Sequence, residues 1–101
     1  MKNLAAAVFL GDGIWLAIVR ALKLSQREAQ IVRLLLSDET ERTMASILTI
    51  SPHTVHTHLE RLYRKLNVKS RSQVVIRIFQ KYVEIAGPPP RRTGAKGPLE
   101  A

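Results

Sequence analysis

Cysteine is missing altogether from this chain of 101 residues, and aromatic residues make up only 5% of it. Without thiols there is neither a disulfide framework nor a thiolate metal site, so the fold must rest on packing and the chain suits a reducing compartment. Acidic residues are scarce as well, 8 against 16 lysines and arginines, which leaves a net charge of +8. No apolar run is long enough to span a bilayer, because Leu4 to Val19 covers 16 residues and is broken by Gly11, Asp12 and Gly13. No convincing small-residue cleavage site follows the apolar stretch Leu4 to Leu10, so a secretory leader is not expected and the protein is read as cytoplasmic. The tools of an enzyme are lacking too: there is no nucleophile and base at a useful spacing, no Gly-rich phosphate loop and no catalytic carboxylate pair. His53, His56 and His58 invite a metal reading, but without a thiolate or a carboxylate pair nearby they do not close a site, so no metal and no cofactor are expected.

What remains is 46% hydrophobic and arranged mostly at helical spacing, which fits one small all-α domain. The charge is placed unevenly. Between Ser51 and Tyr82 seven cations, Arg61, Arg64, Lys65, Lys69, Arg71, Arg77 and Lys81, stand against the single anion Glu60. Between Leu24 and Ile50, Arg27, Arg33 and Arg42 stand against Glu28, Asp38, Glu39 and Glu41, a balance of −1. An excess of cations confined to one helix and its successor is the footprint of a surface that holds phosphates, although a charge run by itself also fits a merely solvated face.

The order of elements decides between these. Residues 1–13 are apolar without a clean period, and the Gly11-Asp12-Gly13 triplet is turn chemistry that should end them. Ile14, Trp15, Ile18, Val19 and Leu22 predict a short helix up to Lys23 with Trp15 turned towards the core. Ser25 and Glu28 form a capping box ahead of the apolar Ile31, Val32, Leu34, Leu35 and Leu36. Thr40 caps a second, short helix through Leu48, whose Glu41 suits the positive N-terminal end. Ser51 and Pro52 then mark a sharp helix start, and Val55, Leu59, Leu62 and Leu66 place one apolar stripe along 52–66 while the basic and hydrogen-bonding residues fall elsewhere. Two short helices joined by about three residues, the second basic and amphipathic, make a helix-turn-helix, whose second helix is the one that enters a DNA major groove. Asn67 suits a left-handed cap, and Ser70 with Gln73 reads as a second capping box opening a helix striped by Val74, Val75, Ile78, Phe79 and Tyr82. The Pro/Gly-rich basic end has no apolar period. The expected division is therefore 1–23 as an apolar segment with a short helix, 24–84 as a compact four-helix domain, and 85–101 as a disordered tail.

Leu24-Ser-Gln-Arg-Glu28, Ala45, Ile50-Ser-Pro-His-Thr-Val55, His58, Arg64-Lys-Leu66 and Val68-Lys-Ser-Arg71 resemble the LuxR/NarL-type (GerE-like) helix-turn-helix domain of bacterial transcription factors over about sixty residues. The resemblance implies sequence-specific binding of double-stranded DNA, with the third core helix in the major groove and the fourth used for dimerisation. Position by position it implies base contacts from His56, Thr57, Glu60 and Arg61, and phosphate contacts from Thr54, Arg64 and Lys65, with Arg42 on the preceding helix. Dimerisation falls on Val75, Ile78, Phe79 and Tyr82. The implied partners are duplex DNA, a second copy of the chain and RNA polymerase, and no membrane. The chain departs from the family pattern at Glu41-Arg42-Thr43, which leaves the phosphate contact of that helix open, and at Glu60, where a carboxylate either accepts from a cytosine amine or pairs with Arg64 one turn on. Two other readings remain: an interaction module on this fold that has lost DNA binding, and a sigma-factor-like promoter-recognition domain. Residues 1–23 are too short to be the regulatory module that accompanies such domains. Whether the chain is the output half of a longer regulator or stands alone is left open.

Overall fold

A computed structural model describes residues 12–87 as five helices: α1 (Asp12–Ala21), α2 (Gln26–Leu36), α3 (Glu41–Leu48), α4 (Pro52–Leu66) and α5 (Arg71–Ala86). The expected all-α class, with a four-helix core and one added N-terminal helix, is what is found. The apolar residues 1–11 lie outside the described residues; of the disordered tail expected over 85–101, residues 85 and 86 instead end α5, and 88–101 lie outside the described residues.

Helices α2 to α5 each begin where a side-chain oxygen can satisfy an orphan backbone N–H. Ser25, Thr40, Ser51 and Ser70 accept from the backbone N–H of Glu28, Thr43, Thr54 and Gln73 respectively. The capping box at Ser25 is reciprocal, with Glu28 Oε1 accepting from the Ser25 N–H at 2.8 Å. The second box differs from the expectation, since Gln73 Oε1 accepts from the Lys69 N–H at 2.6 Å rather than from Ser70. The longer reach ties the loop before α5 instead of the cap itself. The turn expected at Gly11–Gly13 also shifts, since α1 already includes Asp12 and Gly13.

The connections share one device that only Asn67 announced. Lys23, Asp38, Thr49 and Asn67 all have φ between 56° and 59°. After each, a backbone N–H closes back five residues: Leu24 to Val19 O, Glu39 to Leu34 O, Ile50 to Ala45 O and Val68 to Tyr63 O, at 2.9–3.0 Å. Four helices thus end in the same left-handed closure without a single glycine in it.

The core is one cluster drawn from every helix. Trp15 and Ile18 of α1 meet Ile31, Val32, Leu34 and Leu35 of α2, Met44 and Ala45 of α3, Val55, Leu59, Leu62 and Leu66 of α4, and Val74 and Ile78 of α5. The most extensive pairings are α1 on α5 and α3 on α4. The second of these is the helix-turn-helix, joined by Thr49, Ile50 and Ser51. Trp15 takes the core position expected of it, 7% exposed, with the Arg33 guanidinium 4.9 Å above its ring. Burial of each such aliphatic or aromatic side chain contributes roughly 1.5–3 kcal/mol, so the apolar stripe of α4 fixes that helix and leaves its other side free.

Candidate nucleic-acid interface

The free side of α4 carries the residues that the resemblance singles out, and α3 brings up one more. His56, Glu60, Arg61, Arg64 and Lys65 are exposed, Thr54 and Thr57 half-buried, and Arg42 exposed on α3. Because Val55, Leu59, Leu62 and Leu66 are all at most 2% exposed, the rotation of α4 about its axis is set by the core, and the polar face has no freedom to turn away. Pro52 in the first turn and the Ser51 cap hold its N-terminal end, the part of a recognition helix that reaches base edges.

Several of these side chains already have partners. Thr54 Oγ1 shares a 2.9 Å hydrogen bond with Ser51 Oγ, and the Thr57 hydroxyl donates back to His53 O at 3.2 Å. With its hydroxyl so committed, Thr57 offers its methyl more readily than a donor, which suits apolar contact with a thymine methyl. Glu60 does not pair with Arg64. Its carboxylate turns back to His56, Oε2 lying 3.4 Å from Nε2, while Glu41 Oε1 of α3 lies 3.5 Å from Nδ1 of the same ring. Glu41 therefore faces α4 and not an incoming phosphate. Arg61 and Arg64 remain solvent-facing at the middle and end of the helix.

Lys65 is the most constrained of the group. Its ammonium donates to Lys23 O at 2.6 Å and to Glu28 Oε1 at 2.7 Å. One carboxylate oxygen of Glu28 thus joins the start of α2 to the end of α4. Burial alone pushes the Glu28 carboxyl up, but the Lys65 ammonium and the Ser25 N–H and hydroxyl outweigh it and hold the group below its ordinary value. A phosphate reaching Lys65 has to compete with this anchor. At the opposite corner the Tyr63 phenol is raised, first by burial and then by Glu41, with Arg71 acting against both. Arg71 itself donates to Glu39 O, linking the start of α5 to the loop before α3.

The expected dimer stripe divides in two. Ile78 is a core residue, 1% exposed, and cannot serve a partner without opening the domain. Val75 and Phe79, at 40% and 44%, do face outwards, and Ile76, which the helical count had not assigned, is more exposed still. Tyr82 is half-buried with its ring stacked on Phe79 at 6.3 Å between centroids. Among the described residues no group of three or more His, Asp or Glu side chains is arranged to hold a metal ion, and no helix is long and apolar enough to cross a membrane.

What the sequence did not reveal is the pairing of Glu41 with His56. A first-turn acid on α3 reads as a partner of its own helix end, and only the packing of α3 on α4 aims it across.

Residues 22–78 match the profile of a family described as bacterial regulatory proteins, luxR family. The spore germination protein GerE of Bacillus subtilis is 40% identical over 57 residues, which cover 56% of this chain and 77% of that protein. The putative HTH-type transcriptional regulator YhjB of Escherichia coli is 42% identical over 53 residues, and the nitrate/nitrite response regulator protein NarP of the same organism 38% over 58. Of those two longer proteins the matched part is only 26% and 27%. No solved structure gives a significant match. The match begins at residue 22, so α1 lies outside it.

Proposed function

The chain belongs to the luxR family of bacterial regulatory proteins, and on that footing we propose that it is a sequence-specific transcriptional regulator that lays α4 in the major groove of double-stranded DNA. In this reading it acts in the cytoplasm as a homodimer joined along α5, and it works on transcription through contact with RNA polymerase. One observation carries the reading: α4 is held by four buried residues on one side and offers His56, Glu60, Arg61 and Arg64 on the other, at the end of a three-residue turn from α3. Arg61 and Arg64 neutralise phosphates or read guanine, Thr57 meets a thymine methyl, and Glu60 accepts from a cytosine amine. Arg42 and Thr54 flank this face and meet the backbone, and Lys65 joins them by exchanging its internal partners for a phosphate.

Selection of bound duplexes from a random DNA pool, followed by titration of the enriched sequence at several salt concentrations, tests the proposal. An enriched motif with two-fold related half-sites about 34 Å apart is the expected result. Weak binding with a steep salt dependence and no enriched motif reduces the function to phosphate attraction. Absence of binding at low salt sinks the DNA reading and favours an interaction module, for which the exposed Val75, Ile76 and Phe79 offer a surface.

A further inference from the structure

Within the basic surface of α4 there is one acidic place, and it is built from two helices. The spacing of Glu60 from His56, one turn along the same helix, is common in any exposed helix. Glu41 is different, because only the packing of α3 against α4 delivers its carboxylate to the other ring nitrogen. All three side chains are between 41% and 57% exposed, so as ion pairs they contribute little to stability. Their importance lies in where they stand, since the ring is exposed on the N-terminal half of α4, the part of a recognition helix that reaches base edges.

A neutral imidazole has one N–H, so it donates to one carboxylate and turns a lone pair towards the other. With both nitrogens protonated it donates to both. The cluster carries a charge of −2 in the first state and −1 in the second, and the phosphates of an approaching duplex oppose the first more strongly. We propose that Glu41 is a positioning residue for duplex recognition that acts through His56: with Glu60 it holds the imidazole across the reading face as a two-donor group, and duplex binding takes up one proton there. The inference rests on the reading that α4 binds DNA.

Two carboxylates flank the ring, whereas Arg71 of α5 and Glu28 of α2 are engaged elsewhere on α4 and its surroundings. Glu41 faces it from α3 and Glu60 from α4 itself. From α5, Arg71 acts on Tyr63 in opposition to Glu41 and donates to Glu39 O. From α2, Glu28 is committed to Lys65, nine residues beyond His56 and about 13 Å further along the axis at 1.5 Å per residue. The sign follows directly. The duplex favours the protonated ring, so the complex holds the proton more tightly than the free chain. Affinity therefore declines as the pH rises.

The test is fluorescence anisotropy of the full chain with its selected duplex at constant ionic strength, at about pH 6 and about pH 8. The wild type is expected to bind roughly fivefold or more tightly at the lower pH. In Glu41→Gln the ratio between the two pH values should shrink, with binding at the higher pH stronger than that of the wild type. The same variant should change the ranking of single-base substitutions in the duplex, which a merely structural residue does not do. His56→Gln should remove the pH dependence, and His53→Gln and His58→Gln should keep it. Equal affinity of the wild type at both pH values, or an unchanged ratio in Glu41→Gln, overturns the inference while DNA binding stands. A wild-type chain that retains no duplex at either pH overturns the reading beneath it, and the inference falls with it.

Discussion

At the scale of single residues, the hydrogen-bonding side chains of this domain serve the fold before they serve a ligand. Lys65 shows it most directly, because its basic charge next to the proposed DNA-reading face suggests a phosphate contact while its ammonium is bound to Lys23 O and Glu28 Oε1. Glu28 is lowered in the folded chain, so the stability it contributes is present above its unfolded value and is lost as the pH falls through the folded one. Lys65→Ala removes the partner and should lower the unfolding free energy by about 1 kcal/mol at neutral pH. Denaturant titrations repeated in acid should show the gap between variant and wild type narrowing, since protonated Glu28 no longer attracts the ammonium. A gap that keeps its full size in acid would assign the effect to the Lys23 carbonyl alone. The same variant weakens duplex binding only to the extent that Lys65 leaves its anchor, so its effect on affinity should be smaller than that of Arg64→Ala, whose guanidinium is exposed.

At the scale of elements, the sequence disclosed starts better than ends and faces better than partners. Helix starts need a local signal, and Ser25, Thr40, Ser51 and Ser70 each supply one. Helix ends here rest on Lys23, Asp38 and Thr49 in the left-handed region; lysine and threonine carry no such signal and aspartate a weaker one than asparagine, so only Asn67 was read. The buried stripe of α4 was legible because a period of 3.6 residues does not depend on what it packs against. The division of the α5 stripe was not, because whether Ile78 lies inside or outside depends on where α1, α2 and α4 press. For the same reason the Glu41 to His56 contact was hidden, while Glu60, on the same helix as its partner, was within reach of the sequence. α1 adds an element-level test, being outside the family match and yet making one of the two most extensive helix pairings. Its anchor is Trp15, buried against the core and covered by Arg33. Trp15→Ala should lower stability by roughly 3 kcal/mol, the lower range for deleting a large buried aromatic. Circular dichroism during urea unfolding measures it, and a loss under 1 kcal/mol would mean that α1 rests on the domain without helping to hold it.

At the scale of the molecule, two surfaces of opposite character have to work together if the proposed dimer is right. The α4 face is polar and suited to DNA, while α5 turns Val75, Ile76 and Phe79 outwards, with the Tyr82 ring stacked on Phe79. Exposed apolar side chains on one helix gain little from water, and they gain most when a second copy covers them. Two copies joined this way present two α4 helices to one duplex, and the second helix then binds at the effective concentration set by the first. Phe79→Asp places a charge in the middle of that face and leaves the core untouched, since Phe79 is 44% exposed. The variant should sediment as a monomer and bind a duplex carrying one half-site as tightly as the wild type does. On a duplex with two half-sites it should lose the additional affinity that pairing provides, by roughly tenfold or more. Equal binding of variant and wild type to the double site would place the contact between copies elsewhere. If both bind as monomers, each α4 must be reading its half-site alone.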